Sequence, residues 1–506
     1  MSISPDTSNA MSNSKGKRVM ENELISIIDT EASYPTSEFS FRPDTKYPEY
    51  AYEEIAPTKN TVYSAVRDSF RRLCLDEKNY GTRNWNPLGE IIHPGDSVLI
   101  KPNLVMDVNG LIDQGTECLY THASVVAPVI DYVLIALNGT GKIIIGDAPM
   151  QECVFETLLK EGGYGKLVDY YKSKRIQIDI VDFRELTSIV KNGVHIQSIN
   201  PNSSGTIIDL AHYSEFAGIS KGVISRTRIT NYDPRILKEH HDSVKNEYYI
   251  SNYVLAADVI INMPKPKSHR KAGATIALKN FVGVNVRKEF LPHHTMGSKE
   301  EGGDEYLKKD KVHFLRSKLL DKRNMLEAER HYTLARLYRI AVRLCLLVMQ
   351  LRGTDKYQEG SWYGNNTISK TISDLNKIVF YADKSGRMQD KPQRRMIIIA
   401  DMIISGEKEG PVYPTAKPVG IIACGFNPVS FDRAVSTLMG FNPELIPTIK
   451  TAEAIFRKFK LASDKPILIV SNKNEYDNRR IEEIDRNDLL NFEPSSGWKG
   501  HLEFEK

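Results

Sequence analysis

Short runs of consecutive apolar residues are the feature that most constrains the fold of this chain. Each run is hydrophobic at successive positions rather than at alternate ones, so both faces of the strand that it forms must be buried. Strands buried on both faces are typical of parallel sheets that carry helices on each side. Seven such runs occur, at residues 96–103, 141–149, 176–183, 257–264, 395–403, 418–426 and 466–471.

Stretches of helical character separate these runs. Residues 123–137 follow Thr121, which can serve as an N-cap, and residues 428–439 end at Gly440, a common helix stop. A third stretch, 155–171, is interrupted by the sequence EGGYG. Alternation of strands and helices predicts an α/β fold with a mostly parallel, doubly wound sheet and a helical insertion.

The pattern changes along the chain and suggests a division into segments. Residues 201–250 are polar and turn-rich, and we interpret them as an elaboration over the sheet. The predicted segments are a disordered tail at 1–20, the first part of the α/β core at 21–313, a helical insertion at 314–360, the second part of the core at 361–475, and a charged, peripheral C-terminal tail at 476–506. The alternative to a disordered tail is that translation starts at Met11 or Met20 and that the residues before it are upstream sequence.

Composition argues against several classes of function. The formal net charge is only +4 over 506 residues, and aromatic residues do not interleave with the cations of the most basic stretch, so we expect no nucleic-acid partner. The five cysteines are scattered without C-x-x-C spacing, so we expect a reducing compartment and neither a zinc site nor an iron–sulfur cluster. The polar N-terminus lacks the apolar region of a secretory signal, which favours a cytoplasmic location.

Residues 337–353 pose the one membrane question. Arg339 and Arg343 interrupt this apolar segment, and it is too short to cross a bilayer. We predict a packed amphipathic helix. Peripheral contact with a membrane or a protein through residues 314–353 is the alternative.

Charged and amide residues follow most of the predicted strands. Lys101 and Asn103 lie at the end of the first run, Asp147 lies near the end of the second, and Asp401 comes directly after RMIIIA in the fifth. The stretch INMPKPKSHRKAGATIALKN, residues 261–280, ends the fourth run with an unusual density of positive charge. Because ligands of open parallel sheets bind outside the carboxyl ends of the strands, this recurrence predicts a binding site at that edge.

The predicted site carries both signs of charge. Lysines and amides suit an anionic substrate, a histidine suits acid–base chemistry, and carboxylates or histidines suit a divalent metal. We therefore assign substrate binding to Lys101, Asn103, Lys265, Lys267, Lys279, Asn280 and Asn427, catalysis to His269 and Asp147, and a possible metal to Glu407, Glu409, His293 and His294. Arg270 and Lys271 are expected to face solvent. The chain contains no P-loop, no G-x-G-x-x-G after a strand, no G-x-S-x-G and no H-E-x-x-H.

Several longer motifs resemble the DUF362 family, a domain of unknown function. They are VLIKPNLV, THASVVAPVIDYV, IIIGDAPMQ, ADVIINMPKPKSHRKAGATIALKNFVGV, GEKEGP and GFNPVSFDRAVSTLMGF. The stretches YPEYAYEE, NWNPLGE and SWYGNNTISKTISDLNKI resemble a subgroup associated with surface-polysaccharide gene clusters. Some members of the family carry ferredoxin-like cysteine motifs, but this chain lacks them, so the resemblance implies no iron–sulfur cluster here.

A more distant resemblance is to nickel-pincer lactate racemases. In those enzymes a histidine, a lysine that bears the cofactor and a second histidine follow one another in a region after a strand. His269, Lys279 and His293 or His294 occur in that order here. The glycine-rich context of the racemase lysine is replaced by IALKN, so we favour an ordinary anion-binding role for Lys279 over cofactor attachment.

Three hypotheses on function remain open at this point. The first is an enzyme that acts on a small or sugar-linked anionic substrate in cell-envelope or polysaccharide metabolism. The second is a racemase-like or epimerase-like enzyme with a nickel or other metal centre. The third is a non-catalytic binding or scaffold protein that docks through the helical insertion.

Overall fold

The computed structural model describes residues 22–36, 39–354, 357–455 and 458–505, so the predicted tail at 1–20 lies outside the described residues. The strands are β1 Glu23–Asp29, β2 Ser97–Pro102, β3 Lys142–Asp147, β4 Asp179–Asp182, β5 Leu186–Lys191, β6 Val194–Ile199, β7 Gly205–Asp209, β8 Thr227–Arg228, β9 Glu247–Ser251, β10 Val259–Met263, β11 Lys267–His269, β12 Gly273–Thr275, β13 His294–Thr295, β14 Arg395–Glu409, β15 Tyr413–Gly425, β16 Ile467–Ser471 and β17 Arg479–Arg480. The α-helices are α1 Thr61–Arg72, α2 Ala123–Leu137, α3 Phe155–Glu161, α4 Tyr164–Ser173, α5 Lys221–Ile224, α6 Pro234–His240, α7 Asn252–Ala256, α8 Ala277–Asn280, α9 Lys311–Ala328, α10 Tyr332–Leu351, α11 Thr367–Tyr381, α12 Pro428–Met439 and α13 Pro447–Glu453.

One large, mostly parallel sheet forms the centre of the molecule. Its strand order is β17-β16-β1-β15-β14-β10-β2-β3-β4, and β11 and β12 extend it beside β14. Strands β14, β10, β2, β3 and β4 run parallel to their neighbours in this series. The predicted α/β class and the seven apolar strands are therefore confirmed.

Strand β15 breaks the parallel rule. It runs antiparallel to both β14 and β1, whereas the sequence pattern predicts a parallel strand there. The reason is the connection, because only residues 410–412 separate β14 from β15. Two parallel neighbours need a crossover of a dozen or more residues, so a link this short can only form a hairpin. The end of β15 consequently lies at the opposite edge of the sheet from the ends of β10 and β14.

Helices cover both faces of the sheet, which explains why its strands are apolar at every position. Helices α1 and α2 pack in one core cluster with Val98, Ile100 and Ile261. Helices α11 and α12 pack in the other with Leu99 and Ile260. Successive residues of one strand thus enter opposite cores, and burying both faces removes a large apolar area from water.

The first strand and the C-terminal segment differ from the sequence-based expectation. Strand β1 lies inside the sheet between β15 and β16, although the seven apolar runs do not include it. The C-terminal residues are not a peripheral tail, because Trp498 and Leu502 are fully buried in the core that contains α11. Apolar residues spaced among charges are sufficient to fold this segment back onto the sheet.

The helices follow their sequence signals closely. The structure has α12 at Pro428–Met439 with Gly440 at a positive φ of 90°, and two helices, α3 and α4, around the EGGYG break. The N-cap of α2 is His122 rather than Thr121, because the His122 ring accepts from the Ser124 N–H, while the Thr121 hydroxyl donates to the Met263 carbonyl.

Residues 311–351 form a helical hairpin of α9 and α10, as the charged, strand-free pattern predicts. The region at 201–250 contributes β7 and β9, which pair with each other beside the main sheet. Within the described residues, no helix is long and apolar enough to cross a membrane.

Candidate functional site

The carboxyl ends of β2 and β3 are joined by a buried ion pair. Lys101 Nζ lies 2.8 Å from Asp147 Oδ1, and neither side chain is more than 2% exposed. The same ammonium donates to the Pro102 carbonyl at 2.7 Å and to Asn280 Oδ1 at 3.3 Å. Since an ammonium has three N–H donors, Lys101 has none left for a substrate. Burial lowers its pKa, and the Asp147 charge opposes this.

Asp147 is committed to holding the loops around it. Its Oδ2 accepts the Leu104 N–H at 2.6 Å and its Oδ1 accepts the Ala148 N–H at 2.8 Å. A Cβ on Gly283 would lie 1.8 Å from Asp147 Oδ1, so the backbone of the next segment closes directly over the pair. Burial raises the pKa of Asp147, against the neighbouring Lys101 charge. These contacts give Asp147 a positioning role, while its predicted catalytic role stays a prediction.

A relay of amides connects this pair to Lys267. Asn280 Oδ1 accepts from Asn103 Nδ2 at 3.1 Å, and Asn280 Nδ2 donates to Asn262 Oδ1 at 2.7 Å. Lys267 Nζ donates to Asn103 Oδ1 at 3.1 Å and to the Leu119 carbonyl at 2.7 Å. The structure therefore brings together four of the predicted substrate-binding residues, and the relay fixes them relative to one another.

A second buried ion pair lies just beyond the end of β10, beside the middle of β14. Lys265 Nζ lies 3.0 Å from Asp401 Oδ2, and both side chains are fully buried. Tyr34 donates its hydroxyl to Asp401 Oδ1 at 2.8 Å, accepts from Lys265, and stacks on the His122 ring with centroids 4.2 Å apart. Burial lowers the pKa of Lys265 despite the Asp401 charge. Lys265 is thus compensated within the protein.

Lys279 is presented by a short, firmly held helix, α8. Asp432 accepts the N–H groups of Ala277 at 2.8 Å and Leu278 at 3.2 Å. Asn262 and Asn376 donate to the carbonyls of Ala277 and Leu278 at 3.0 and 2.9 Å. Three buried polar side chains from β10, α11 and α12 thereby satisfy backbone groups of α8 that its short length leaves open.

Four ammonium groups in this region have no carboxylate within ion-pair distance among the residues that the structure describes. They belong to Lys267, Lys271, Lys279 and Lys288. Lys267 is fully buried and the other three are partly accessible. Burial is the main cause that lowers the pKa of Lys267 and Lys288 to about 7, and that of Lys271 and Lys279 to about 8. Neighbouring lysine charges lower the pKa values of Lys267, Lys279 and Lys288 further, while the more distant Glu359 and Asp147 carboxylates raise those of Lys271 and Lys288.

Of these four, Lys279 is the least engaged. Lys271 donates to Thr230 Oγ1 at 3.0 Å and Lys288 to the Val282 carbonyl at 3.0 Å. No hydrogen bond from the Lys279 ammonium is found within the described part of the chain. The expectation that Lys271 faces solvent is wrong, because its side chain turns inward past Thr230. Arg270 does stay outside, with its side chain 37% exposed beside Glu409.

Two histidines next to these lysines have opposite tautomers. Nδ1 of His269 accepts the N–H groups of Lys271 and Ala272 at 3.0 and 3.1 Å, so a neutral ring carries its proton on Nε2. Nδ1 of His293 lies 2.8 Å from the Leu291 carbonyl and must donate to it, which leaves Nε2 as an acceptor. Burial, aided by nearby lysines, lowers the pKa of His293 to about 3 and holds that of His269 well below its usual value. Both rings are neutral at physiological pH.

The predicted metal ligands do not form a cluster. Glu407 accepts the Glu493 N–H at 3.0 Å and Glu409 accepts the Ser496 N–H at 2.7 Å, so both anchor the C-terminal segment. His294 lies 3.5 Å from the Lys271 ammonium. Across the residues described, no group of three or more His, Cys, Asp or Glu side chains could hold a metal ion.

Asn427 lies away from the other predicted residues. It follows the antiparallel strand β15 and its Oδ1 caps α12 by accepting from Val429 and Ser430, both at 3.0 Å. Four residues that shape the site in the structure are missing from the sequence-based assignment, namely Lys288, Asp432, Asn376 and Tyr34. Tyr34, Asn376 and Asp432 are far from the basic stretch in the chain, so their order gives no signal, whereas Lys288 follows that stretch by only eight residues and could have been included.

Comparison with known proteins identifies the family but not the reaction. The family model described as "Domain of unknown function (DUF362)" matches residues 98–212 and 201–437, which together span more than half of the chain. Neither the curated proteins nor the solved structures gave a match. The matched region contains both ion pairs, the basic stretch and α8. The chain belongs to the DUF362 family.

Proposed function

We propose that the protein is an enzyme that binds a small anionic substrate at Lys267, Lys271, Lys279 and Lys288 and moves a proton on it. The observation that carries the proposal is the group of four lysines without a carboxylate partner. Lys101 and Lys265, by contrast, are neutralised by Asp147 and Asp401.

Electrostatics supports an anion as the missing partner. Burying an unpaired charge is costly, and proteins normally pair such groups or neutralise them. Burial lowers the pKa values of these four lysines, as it does those of Lys101 and Lys265, but among the described residues the four have no carboxylate within ion-pair distance. A carboxylate or phosphate bound among them would restore their ordinary pKa values. We therefore expect the substrate to carry at least one such group.

The two histidines suit proton transfer next to that anion. Burial and nearby lysine charges hold the pKa of His293 low, and a bound anion would offset those charges, so that its bare Nε2 can accept a proton. His269 presents an Nε2–H that can donate a hydrogen bond to a developing negative charge. Lys271 and Lys279 lie close enough to lower the pKa of both rings. In this proposal His269, the acid–base candidate from sequence, is the hydrogen-bond donor, and His293 is the base.

The substrate class follows only from resemblance. The motifs shared with the polysaccharide-associated subgroup support a sugar-linked anion in cell-envelope or polysaccharide metabolism. The DUF362 match itself carries no information on the substrate.

Solvent deuterium exchange tests the proposal with a mixture of candidate substrates. The wild-type protein is incubated in D₂O with a pool of small anions extracted from its native cells, and mass spectrometry reports bound compounds and deuterium on carbon. We expect retention and labelling of an anion by the wild type, retention without labelling by His293→Asn, and no retention by Lys279→Met. Lys142→Met, at an exposed position, is the matched control.

Equal labelling by the His293→Asn protein would remove His293 as the base. Equal retention by Lys279→Met and the wild type would remove the lysine cluster as the binding site.

A cofactor on Lys279 is the second candidate, and one observation favours it. Lys279 is an unengaged amine with a pKa near 8, so a fraction of it is a free nucleophile at neutral pH. The fit to a two-histidine metal centre is incomplete. Nδ1 of His269 already accepts two backbone N–H groups and its Nε2 carries the proton, so of the two rings only His293 has a nitrogen lone pair available to a metal. Intact mass of the protein from its native host decides: an adduct lost in Lys279→Met supports attachment, and an unmodified mass removes it.

A further inference from the structure

Helix α10 carries an apolar stripe that faces away from the protein. Its buried side chains are Ala335, Val342, Cys345 and Met349, which form the inner face. On the outer face, Leu337, Ile340, Leu344 and Leu351 are each more than half exposed. Leu337, Leu344 and Leu351 follow one another at two-turn spacing, so they line one side of the helix.

Two further exposed apolar residues lie on the neighbouring helix α9. Helices α9 and α10 form an antiparallel hairpin whose open end is fixed by His313, which bonds to the Thr354 carbonyl at 3.0 Å. Phe314 and Leu315, each about half exposed, therefore lie at the same end as Leu351. Exposed apolar patches of this extent mark interaction surfaces.

The charged residues of α10 itself are all positive. Helix α10 contains three arginines and no acidic residue, and two of them, Arg336 and Arg343, are exposed. Lys311, Lys318 and Lys322 are exposed on α9. Most of the acidic residues nearby are already paired, as Asp321 is with Arg228 and Asp310 with Arg352. The surface thus offers an apolar stripe next to uncompensated cations.

We propose that the α9–α10 hairpin docks on a membrane surface that contains anionic lipids. An apolar helix face flanked by arginine and lysine is the pattern of helices that lie in the lipid interface. The charges also argue against a second copy of the chain, because its α10 would bring Arg336 and Arg343 against like charges without an acidic residue on that helix. This surface is separate from the lysine site, so the two proposals stand or fall independently.

Vesicle co-sedimentation of the full chain tests the docking proposal. The probes are phosphatidylcholine vesicles with and without phosphatidylglycerol. We expect binding to the vesicles with phosphatidylglycerol only. An arginine near an anionic surface strengthens binding about fivefold, so Arg336→Gln/Arg343→Gln should weaken it about 25-fold. Leu337→Ser/Leu344→Ser should weaken binding at least about tenfold, since apolar burial is lost.

Two control variants test whether the effects are specific to the hairpin, and the mass of the protein in solution shows whether it dimerises. Ile112→Ser, at a fully exposed apolar position elsewhere, and Arg83→Gln/Arg479→Gln, at exposed arginines, should bind like the wild type. Thermal unfolding checks that every variant folds. The proposal is overturned if the wild type does not bind the anionic vesicles, or if both hairpin variants bind as it does. A dimer in solution that Leu337→Ser/Leu344→Ser dissociates, without vesicle binding, would instead assign the surface to a second copy.

Discussion

Replacing Lys279 by methionine should make the ligand-free protein more stable at neutral pH. The pKa of Lys279 is about 8 in the folded protein, whereas an unfolded lysine has a pKa of about 10.4. Folding therefore works against the charge on this side chain. A difference of about 2.4 pKa units, at about 1.4 kcal/mol per unit, corresponds to roughly 3 kcal/mol. Methionine keeps most of the volume and removes the charge.

The pH dependence has a definite sign. Between about pH 8 and about pH 10 the unfolded chain binds the proton of Lys279 while the folded protein has released it. The free energy of unfolding of the wild type should therefore rise with pH in that window, by up to about 1.4 kcal/mol per pH unit for this lysine. Below about pH 8 both states are protonated, and the full cost of the charge is present. The gain from methionine is thus largest there and vanishes near pH 10.

Urea unfolding followed by circular dichroism measures this directly. The wild type, Lys279→Met and the exposed control Lys78→Met are compared across the pH range. Lys279→Met should unfold at higher urea below pH 8 and show a shallower rise with pH, while Lys78→Met should follow the wild type. A Lys279→Met protein that is less stable at neutral pH, or that has an unchanged pH slope, would refute the claim that Lys279 is an uncompensated buried charge.

The remaining predictions concern the scaffold around the site. Gly283→Ala should lower the free energy of unfolding by about 3 kcal/mol or more and weaken anion binding, because its Cβ would displace Asp147 from Lys101. Urea unfolding measures the loss of stability. The matched control is Gly165→Ala, because a Cβ at Gly165 meets no atom within 4 Å. Asp432→Ala should lower the free energy of unfolding by about 1–3 kcal/mol and weaken anion binding, because the helix that carries Lys279 loses its anchor. Asp432→Asn keeps one acceptor oxygen and should retain much of the stability and of the anion affinity. Equal anion affinity in the two variants would show that Asp432 does not position the site. Trp498→Ala should lower the free energy of unfolding by about 3–5 kcal/mol in the same assay, because the indole is fully buried and also donates to the Arg270 carbonyl at 2.7 Å. A loss below about 1 kcal/mol would show that the C-terminal segment is peripheral and not part of the core.

Most of the fold is encoded locally and can be predicted from the sequence. Runs such as 257–264 and 395–403 are apolar at consecutive positions because both faces of β10 and β14 are buried, and this signal is strong in any single sequence. Helix α12 is bounded by its proline start and by Gly440. The direction of β15 depends on the length of the link after β14, which apolar patterning alone does not report.

The site is predictable in position but not in its pairing. The sequence places Lys101, Lys265, Lys267 and Lys279 at one edge of the sheet. In the structure they lie at the end of β2 or in the segment that follows β10, while their role in binding stays a prediction. Which lysines remain uncompensated depends on contacts between distant elements, such as Lys101 with Asn280, so it cannot be derived from a local pattern. The inward position of Lys271 escapes prediction for the same reason, since its partner Thr230 is far away in the chain.

If Lys267, Lys271, Lys279 and Lys288 form an anion site, simple anions should stabilise the folded protein, and thermal unfolding in their presence measures this. Phosphate, pyrophosphate and citrate are compared with chloride at equal ionic strength and near neutral pH, for the wild type, for Lys271→Met/Lys279→Met and for the exposed control Lys78→Met. We expect multivalent anions to raise the unfolding temperature of the wild type and of the control, and the double variant, more stable without anions, to lose this response. An equal response in the wild type and the double variant would contradict the claim.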